Sequence, residues 1–221
     1  MSHQVETGVL SRSDGSAQLT IGSTKVITSV NGPTEPKARQ ELPNLASLEI
    51  VIRPAQGLPT TREKLLEDKL RSLLQTIIIR YKYPRQLIQI VVQFLSSEGK
   101  SNVFTNNELS AAINCAFYAL IDANIALNYS FAAVSVSLNE GKYLKDPAWK
   151  QLSESDSHHV ICFSIQDGKA EKLLLLESQG DFSEEEVFDT IAKSVAECEK
   201  VHQDQRKFIG EKIDRDFIWK A

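Results

Sequence analysis

Residues 31 to 71 read Asn31-Gly32-Pro33-Thr34-Glu35-Pro36-Lys37-Ala38-Arg39-Gln40, then ELPNLASLEIVIRPAQGLP through residue 59, then Thr60-Thr61-Arg62-Glu63-Lys64-Leu65-Leu66-Glu67-Asp68-Lys69-Leu70-Arg71. Asn31-Gly32-Pro33 closes a β-branched run that begins at Lys25, because Gly and Pro punctuate strands and open turns. A polar, basic excursion carrying Lys37 and Arg39 follows, and a second strand is predicted over Leu48 to Pro54. Thr60 and Glu63 then stand at the spacing of a capping box, in which a hydroxyl and a carboxylate satisfy backbone donors that a first helical turn leaves unpaired. The order is strand, basic loop, strand, capped helix.

The same signature recurs twice outside this stretch, at Thr105/Glu108 and Ser183/Glu186. Behind each cap the apolar residues return at helical spacing: Leu66, Leu70, Leu73, Leu74, Ile77 and Ile78 in the first helix; Leu109, Ile113, Ala116, Phe117 and Leu120 in the second; Val187, Phe188, Ile191, Val195, Cys198 and Val201 in the third. The second helix is rich in alanine and serine, which suits close packing on several sides. Strands are predicted at Ala17–Ile21, Lys25–Val30, Leu48–Ile52, Leu87–Leu95, Phe131–Leu138, His159–Ile165 and Lys172–Leu176. Asn139-Glu140-Gly141 and Gln166-Asp167-Gly168 read as hairpin connections. Asp146-Pro147 reads as a turn. A strand meander, a β-α-β-α-β core, a hairpin and a long closing helix give a mixed α+β (α/β-like) class. No linker, repeat or low-complexity tract interrupts the 221 residues, so one domain over 1–221 is expected.

Hydrophobic residues make up 42% of the chain and charged residues 24%, ordinary values for a soluble globular protein. No apolar run approaches the ~20 residues that cross a bilayer. Met1-Ser2-His3-Gln4-Val5-Glu6 lacks a signal peptide's basic start and apolar core, so an intracellular protein is expected. The odd and widely spaced Cys115, Cys162 and Cys198 argue against a disulfide framework or a CxxC metal site and read as small buried hydrophobes. A net charge of −4 disfavours a free-standing nucleic-acid binder but leaves room for a local basic patch.

The wording GPTEPKARQELP…RPAQGLPTTREKLLEDKLR resembles the RNase PH-type ring subunits of the eukaryotic RNA exosome, and the resemblance covers essentially the whole chain. It implies the RNase PH fold, like domain 2 of ribosomal protein S5, with a left-handed β-α-β unit. It also implies other RNase PH-like ring subunits as partners in a pseudo-dimer within a hexameric ring, S1/KH-type cap subunits, a separate associated exoribonuclease, RNA in the channel, and no membrane. The implied locations are nucleus, nucleolus and cytoplasm. No cofactor is implied.

Members of this family either cut RNA by phosphorolysis or only help build the ring. Phosphorolysis needs a cationic cradle for inorganic phosphate and a carboxylate at the leaving oxygen. By the resemblance, the cradle segment falls on Asn107-Glu108-Leu109-Ser110, with Leu109 at the arginine position and Glu108 beside it. The catalytic aspartate position falls on His158, with Asp156 and Glu154 nearby. A non-catalytic subunit is therefore expected, with an active phosphate-dependent 3′-5′ exoribonuclease as the alternative. His158 and His159 alternate across a strand start and cannot readily share a metal; one buried and one exposed ring are expected. His3 and His202 are isolated, and neither a Gly-x-Ser-x-Gly elbow nor a Walker A sequence occurs. By the same resemblance, Arg62 matches an arginine that contacts RNA, and an arginine at a helix start is mildly unfavourable for the helix itself. Arg62, Lys37 and Arg39 are the RNA-contact candidates, with Arg62 expected to be solvent-exposed.

Overall fold

Between Leu87 and Phe94 burial alternates residue by residue: Ile88, Ile90, Val92 and Phe94 are enclosed while Leu87, Gln89, Val91 and Gln93 are only partly covered. A period of two puts those four apolar side chains on one face of a pleated strand. The structure, a computed structural model, describes residues 4–97, 104–139 and 141–216. In chain order its elements are β1 (Gln4–Thr7), β2 (Gly15–Ile21), β3 (Thr24–Thr34), β4 (Ser47–Arg53), α1 (Thr61–Ile77), β5 (Leu87–Ser96), α2 (Asn106–Asp122), β6 (Ser130–Asn139), β7 (Lys142–Lys145), α3 (Trp149–Ser153), β8 (Ser157–Gln166), β9 (Lys169–Gly180) and α4 (Glu184–Asp216).

Two sheets form. The first has the order β1-β2-β3-β5-β4, antiparallel except where β4 lies parallel to β5 with α1 as the crossover. The second, β7-β6-β8-β9, is antiparallel throughout. α2 touches β2 and β3 of one sheet and β6 and β8 of the other, so it lies between them. That position explains its run of small residues: nearly every side chain from Asn106 to Leu120 is buried. Gly15 marks the tightest approach, since an added Cβ would lie 2.3 Å from the Ala123 nitrogen at the end of α2. Asp122 secures the same corner by accepting from Ser16 N–H at 2.9 Å and pairing with Lys212 of α4.

α1 shares the central layer, and Lys69 reaches Glu177 of β9 at 2.7 Å. α4 covers the far face of the second sheet, where Cys198 and Val201 meet Ala132, Val134, Val136, Ile161, Phe163 and Ile165. β6 and β8 are thus enclosed on both faces and lack the alternation of β5. Asn114 of α2 completes β6, accepting from Ala133 N–H (3.0 Å) and donating to Ala133 O (2.8 Å) as a neighbouring strand would.

The predicted helices and strands all form, but several details differ. β1 and α3 were not expected, and β7 is the strand that the Asn139-Glu140-Gly141 hairpin implied without bounds; each is four or five residues long, too short for a periodic pattern to register. β3 does not stop at Asn31-Gly32-Pro33 but continues to Thr34 through an irregularity in its pairing with β5. Asp167 and Gly168, at φ +50° and +82°, make the tight β8–β9 hairpin that a two-residue turn requires. β6 and β7 also pair as a hairpin through Asn139 and Lys142, while Glu140 in that connection lies outside the described residues, as does His3. Cys115, Cys162 and Cys198 are free and buried.

Candidate functional site

The capping box at Thr60 forms as expected and fixes the first turn of α1. Thr60 N–H and Oγ1 both donate to Glu63 Oε2, at 2.6 and 2.7 Å, and Arg62 N–H donates to Thr60 Oγ1 at 3.3 Å. This turn lies beyond the C-terminal end of β4, because Glu67 one turn later accepts from Ile52 N–H at 2.9 Å. It therefore aims Arg62 toward the end of β5 and the start of α2. There the guanidinium pairs with Glu63 Oε1 at 3.1 Å and with Glu108 Oε2, while Ser97 Oγ donates to Glu108 Oε1. Only 11% of the Arg62 side chain is exposed, against 3% and 5% for the two carboxylates. The expected solvent-exposed Arg62 is corrected: it is an enclosed clamp between two glutamates. Spacing along the helix cannot show this, since the partner lies 46 residues away.

The same pairing overturns the second capping box. Thr105 makes no side-chain cap bond, and Glu108 turns from the backbone of its own helix to Arg62 and Ser97. One cation against two carboxylates leaves the cluster with an excess negative charge, and the two acids respond in opposite directions. Burial raises the Glu108 carboxyl above its ordinary range against the pull of Ser97 and Arg62. Burial also opposes ionisation of Glu63, but the Thr60 hydroxyl and N–H with Arg62 overcome it and hold that carboxyl low. The cluster borders a cleft of about 450 Å³ lined by Pro54, Gln56, Leu58, Leu95, Ser96 and others.

Leu109, at the position the resemblance gives to a phosphate-binding arginine, is 1% exposed and belongs to the main core. Asn107 is spent on structure, donating to Pro147 O and accepting from Ser135 Oγ, both at 2.7 Å. The cavity at this end of α2, about 160 Å³, is lined by Ile21, Gly22, Ser23, Asn107, Ser110, Asp146, Pro147 and Ala148. Among the described residues its walls carry one carboxylate and neither lysine nor arginine. Among the described residues an inorganic phosphate would find backbone donors there but no cationic side chain.

His158 and His159 are both buried, at 4% and 0% exposure, which corrects the expectation that one would face solvent. They do point apart. His158 meets Gln179 at 3.1 Å and the Phe104 ring, while His159 is held between Ser157 and Ser178 and against Phe182. The second sheet is covered on both faces, so alternation buries both rings. Burial depresses the His159 pKa to about 4, and it is neutral at physiological pH. Asp156 is exposed immediately before β8, its backbone tied to Leu138 and Asp181. Among the described residues no group of His, Cys, Asp or Glu is arranged to hold a metal.

Lys37 and Arg39 lie elsewhere. β3 pairs Thr34 with Leu87 and Lys25 with Ser96, so the loop after β3 sits at the start of β5, opposite the end that carries Ser97 and Arg62. Seven-residue β4 spans that interval, about 20 Å at strand rise. Both side chains are exposed. The three candidate cations therefore form no common site.

Residues 2–126 match the RNase PH model described as the 3′ exoribonuclease family, domain 1. The chain is 45% identical over 217 residues to the exosome complex component RRP46 of Saccharomyces cerevisiae, covering 96% of this chain and 97% of that one. Among solved structures, rice (Oryza sativa) Rrp46 superposes with a TM-score of 0.86 at 25% identity over 95% of this chain and 94% of that one. An Archaeoglobus fulgidus exosome chain, solved with RNA bound to the active site, shares the fold at a TM-score of 0.74 and 16% identity, over 92% and 87%. A two-sheet fold built around α2, a family match over more than half the chain and a near full-length relative agree: this chain belongs to the RNase PH family.

Proposed function

We propose that this protein is a non-catalytic structural subunit of an RNA exosome ring, one domain throughout. It pairs with other RNase PH-like subunits, sits under S1/KH-type caps and helps form the channel that threads RNA to a separate 3′-5′ exoribonuclease in nucleus, nucleolus and cytoplasm. The near full-length identity to yeast RRP46 supports the assembly. The observation that carries the loss of activity is the Glu108–Arg62–Glu63 clamp. Arg62, beside the start of α2, is neutralised twice over, Leu109 is buried in the core, and among the described residues the adjacent cavity has no lysine or arginine in its walls. Bringing a phosphate dianion to that end of α2 would set it against Glu108, a repulsion a low-dielectric site magnifies. Of the three expected RNA contacts, this reading keeps Lys37 and Arg39 and assigns Arg62 to the clamp.

Phosphorolysis is the discriminating assay. Purified chain, alone and coexpressed with its ring neighbours, is incubated with single-stranded RNA with and without inorganic phosphate, and nucleoside diphosphates are measured. No phosphate-stimulated release is expected. Release that disappears in Asp156→Ala would establish an active exoribonuclease and refute the proposal.

A further inference from the structure

Two loops meet at the end of the first sheet remote from the Arg62 cluster. Ala46 N–H donates to Arg80 O at 3.0 Å, Arg80 Nε donates back to Ala46 O at 2.8 Å, and Arg85 N–H donates to Leu42 O at 3.1 Å. Arg85 adopts φ +62°, a left-handed conformation uncommon for a residue with a side chain, and its Nε pairs with Glu41 Oε1 at 2.5 Å. Tyr83 anchors the second loop from below, its hydroxyl accepting from Ala126 N–H at 3.0 Å. The segment Arg80-Tyr81-Lys82-Tyr83-Pro84-Arg85 is thus held in one shape, with Arg80 and Tyr83 bonded inward.

What remains on the outside is Tyr81, 66% exposed, together with exposed Lys82, Lys37 and Arg39. Among the described residues none of these three cations forms an ion pair. Of the nearby carboxylates, Glu41 is engaged by Arg85 and Glu49 by Gln40 and Gln89; Glu35 is exposed. On a chain of net charge −4, this is a local positive surface with a bare aromatic face.

We propose that the paired loops 37–46 and 79–86 bind single-stranded RNA, with Tyr81 as a base-stacking platform and Lys37, Arg39 and Lys82 as phosphate-binding cations. The combination is what single strands require: every base offers a flat face to an aromatic ring, and the backbone offers phosphates to cations. An acidic peptide would use the cations but has no need of an exposed, preorganised tyrosine. The inference rests on the reading that this chain meets RNA through Lys37 and Arg39, and adds Tyr81 and Lys82 to that contact, about 20 Å from the α1–α2 clamp.

The test uses the full chain and a labelled oligouridine of about 16 nucleotides, followed by fluorescence anisotropy across a salt series. Tyr81→Ala should weaken binding by about 5- to 150-fold, the range for losing one stacked base, with little change in salt slope, and Tyr81→Phe should restore it. The triple variant Lys37→Ala/Arg39→Ala/Lys82→Ala should lower the log-log salt slope by about 2, roughly 0.7 for each phosphate no longer neutralised. Exposed positions such as these leave folding nearly unchanged, which circular dichroism checks. Unaltered affinity and slope in both variants would overturn the proposal. So would a loss in the triple variant matched by loss of oligoglutamate binding with Tyr81→Ala silent, which would make the surface an acidic-peptide site. Copurification with RNase PH-like partners is scored separately. Its absence refutes the ring reading, whereas assembly with unaltered RNA binding refutes only this surface.

Discussion

Removing the Arg62 side chain is the most direct challenge to the clamp. Arg62→Ala would leave Glu63 and Glu108, 3% and 5% exposed, facing each other without their shared cation. A surface ion pair would forfeit under about 1 kcal/mol. Breaking a buried pair by deleting one partner costs about 3–5 kcal/mol, because the charge left behind is neither solvated nor paired. We expect a loss of about 3 kcal/mol at pH 7, the lower end of that range, since Glu108 can relieve itself by taking up a proton. That escape fixes the pH dependence. Glu108 has its folded pKa raised above 4.5, so the stability tied to it is full below pH 4.5 and is lost as pH rises through the folded value. Without Arg62 that value moves higher still. Glu63, whose pKa is lowered, gives stability that is present above pH 4.5 and lost as pH falls through its folded value; removing Arg62 trims this too. The difference between wild type and Arg62→Ala should therefore be greatest near neutrality and contract toward pH 4.5. Glu108→Gln, which keeps the Ser97 bond and Glu63's hold on Arg62, should cost about 1–2 kcal/mol. Urea titrations from about pH 4.5 to 8 measure all three. A loss below about 1 kcal/mol, or one independent of pH, would refute the clamp.

Two further outcomes follow from local geometry. Thr60→Ala should cost about 1 kcal/mol in urea because its hydroxyl caps α1, whereas Thr105→Val should stay within about 0.5 kcal/mol because Thr105 makes no cap bond; equal losses would contradict the asymmetry. Cys115, Cys162 and Cys198 should resist a thiol reagent at about pH 8 in the native protein and all react once it is unfolded, since burial pushes Cys115 and Cys198 up to about 12 and Cys162 well above its ordinary value. Rapid labelling of native protein would show that one of them is accessible.

The sequence determined what depends on neighbours along the chain. Caps at Thr60 and Ser183, apolar periodicity in α1, α2 and α4, and the Asp167-Gly168 turn are local effects, settled by residues three or four apart, and the elements they specify form where expected. The alanine-rich composition of α2 also announced a helix enclosed on several sides, because only small side chains let two sheets close over one helix. The wording of residues 31–71 carried the family. What the tertiary structure decided is where side chains distant in sequence meet. Thr105/Glu108 has the same spelling as Thr60/Glu63, yet Glu108 abandons its cap because α1 delivers Arg62 beside it. His158 and His159 alternate as a strand requires, but both are buried because α4 closes the sheet's second face. Arg62, Lys37 and Arg39 are near in sequence and end at opposite ends of a sheet, since a strand between two loops separates them by its own length. Spacing along a chain encodes which face a residue takes; only the packed elements say what that face meets.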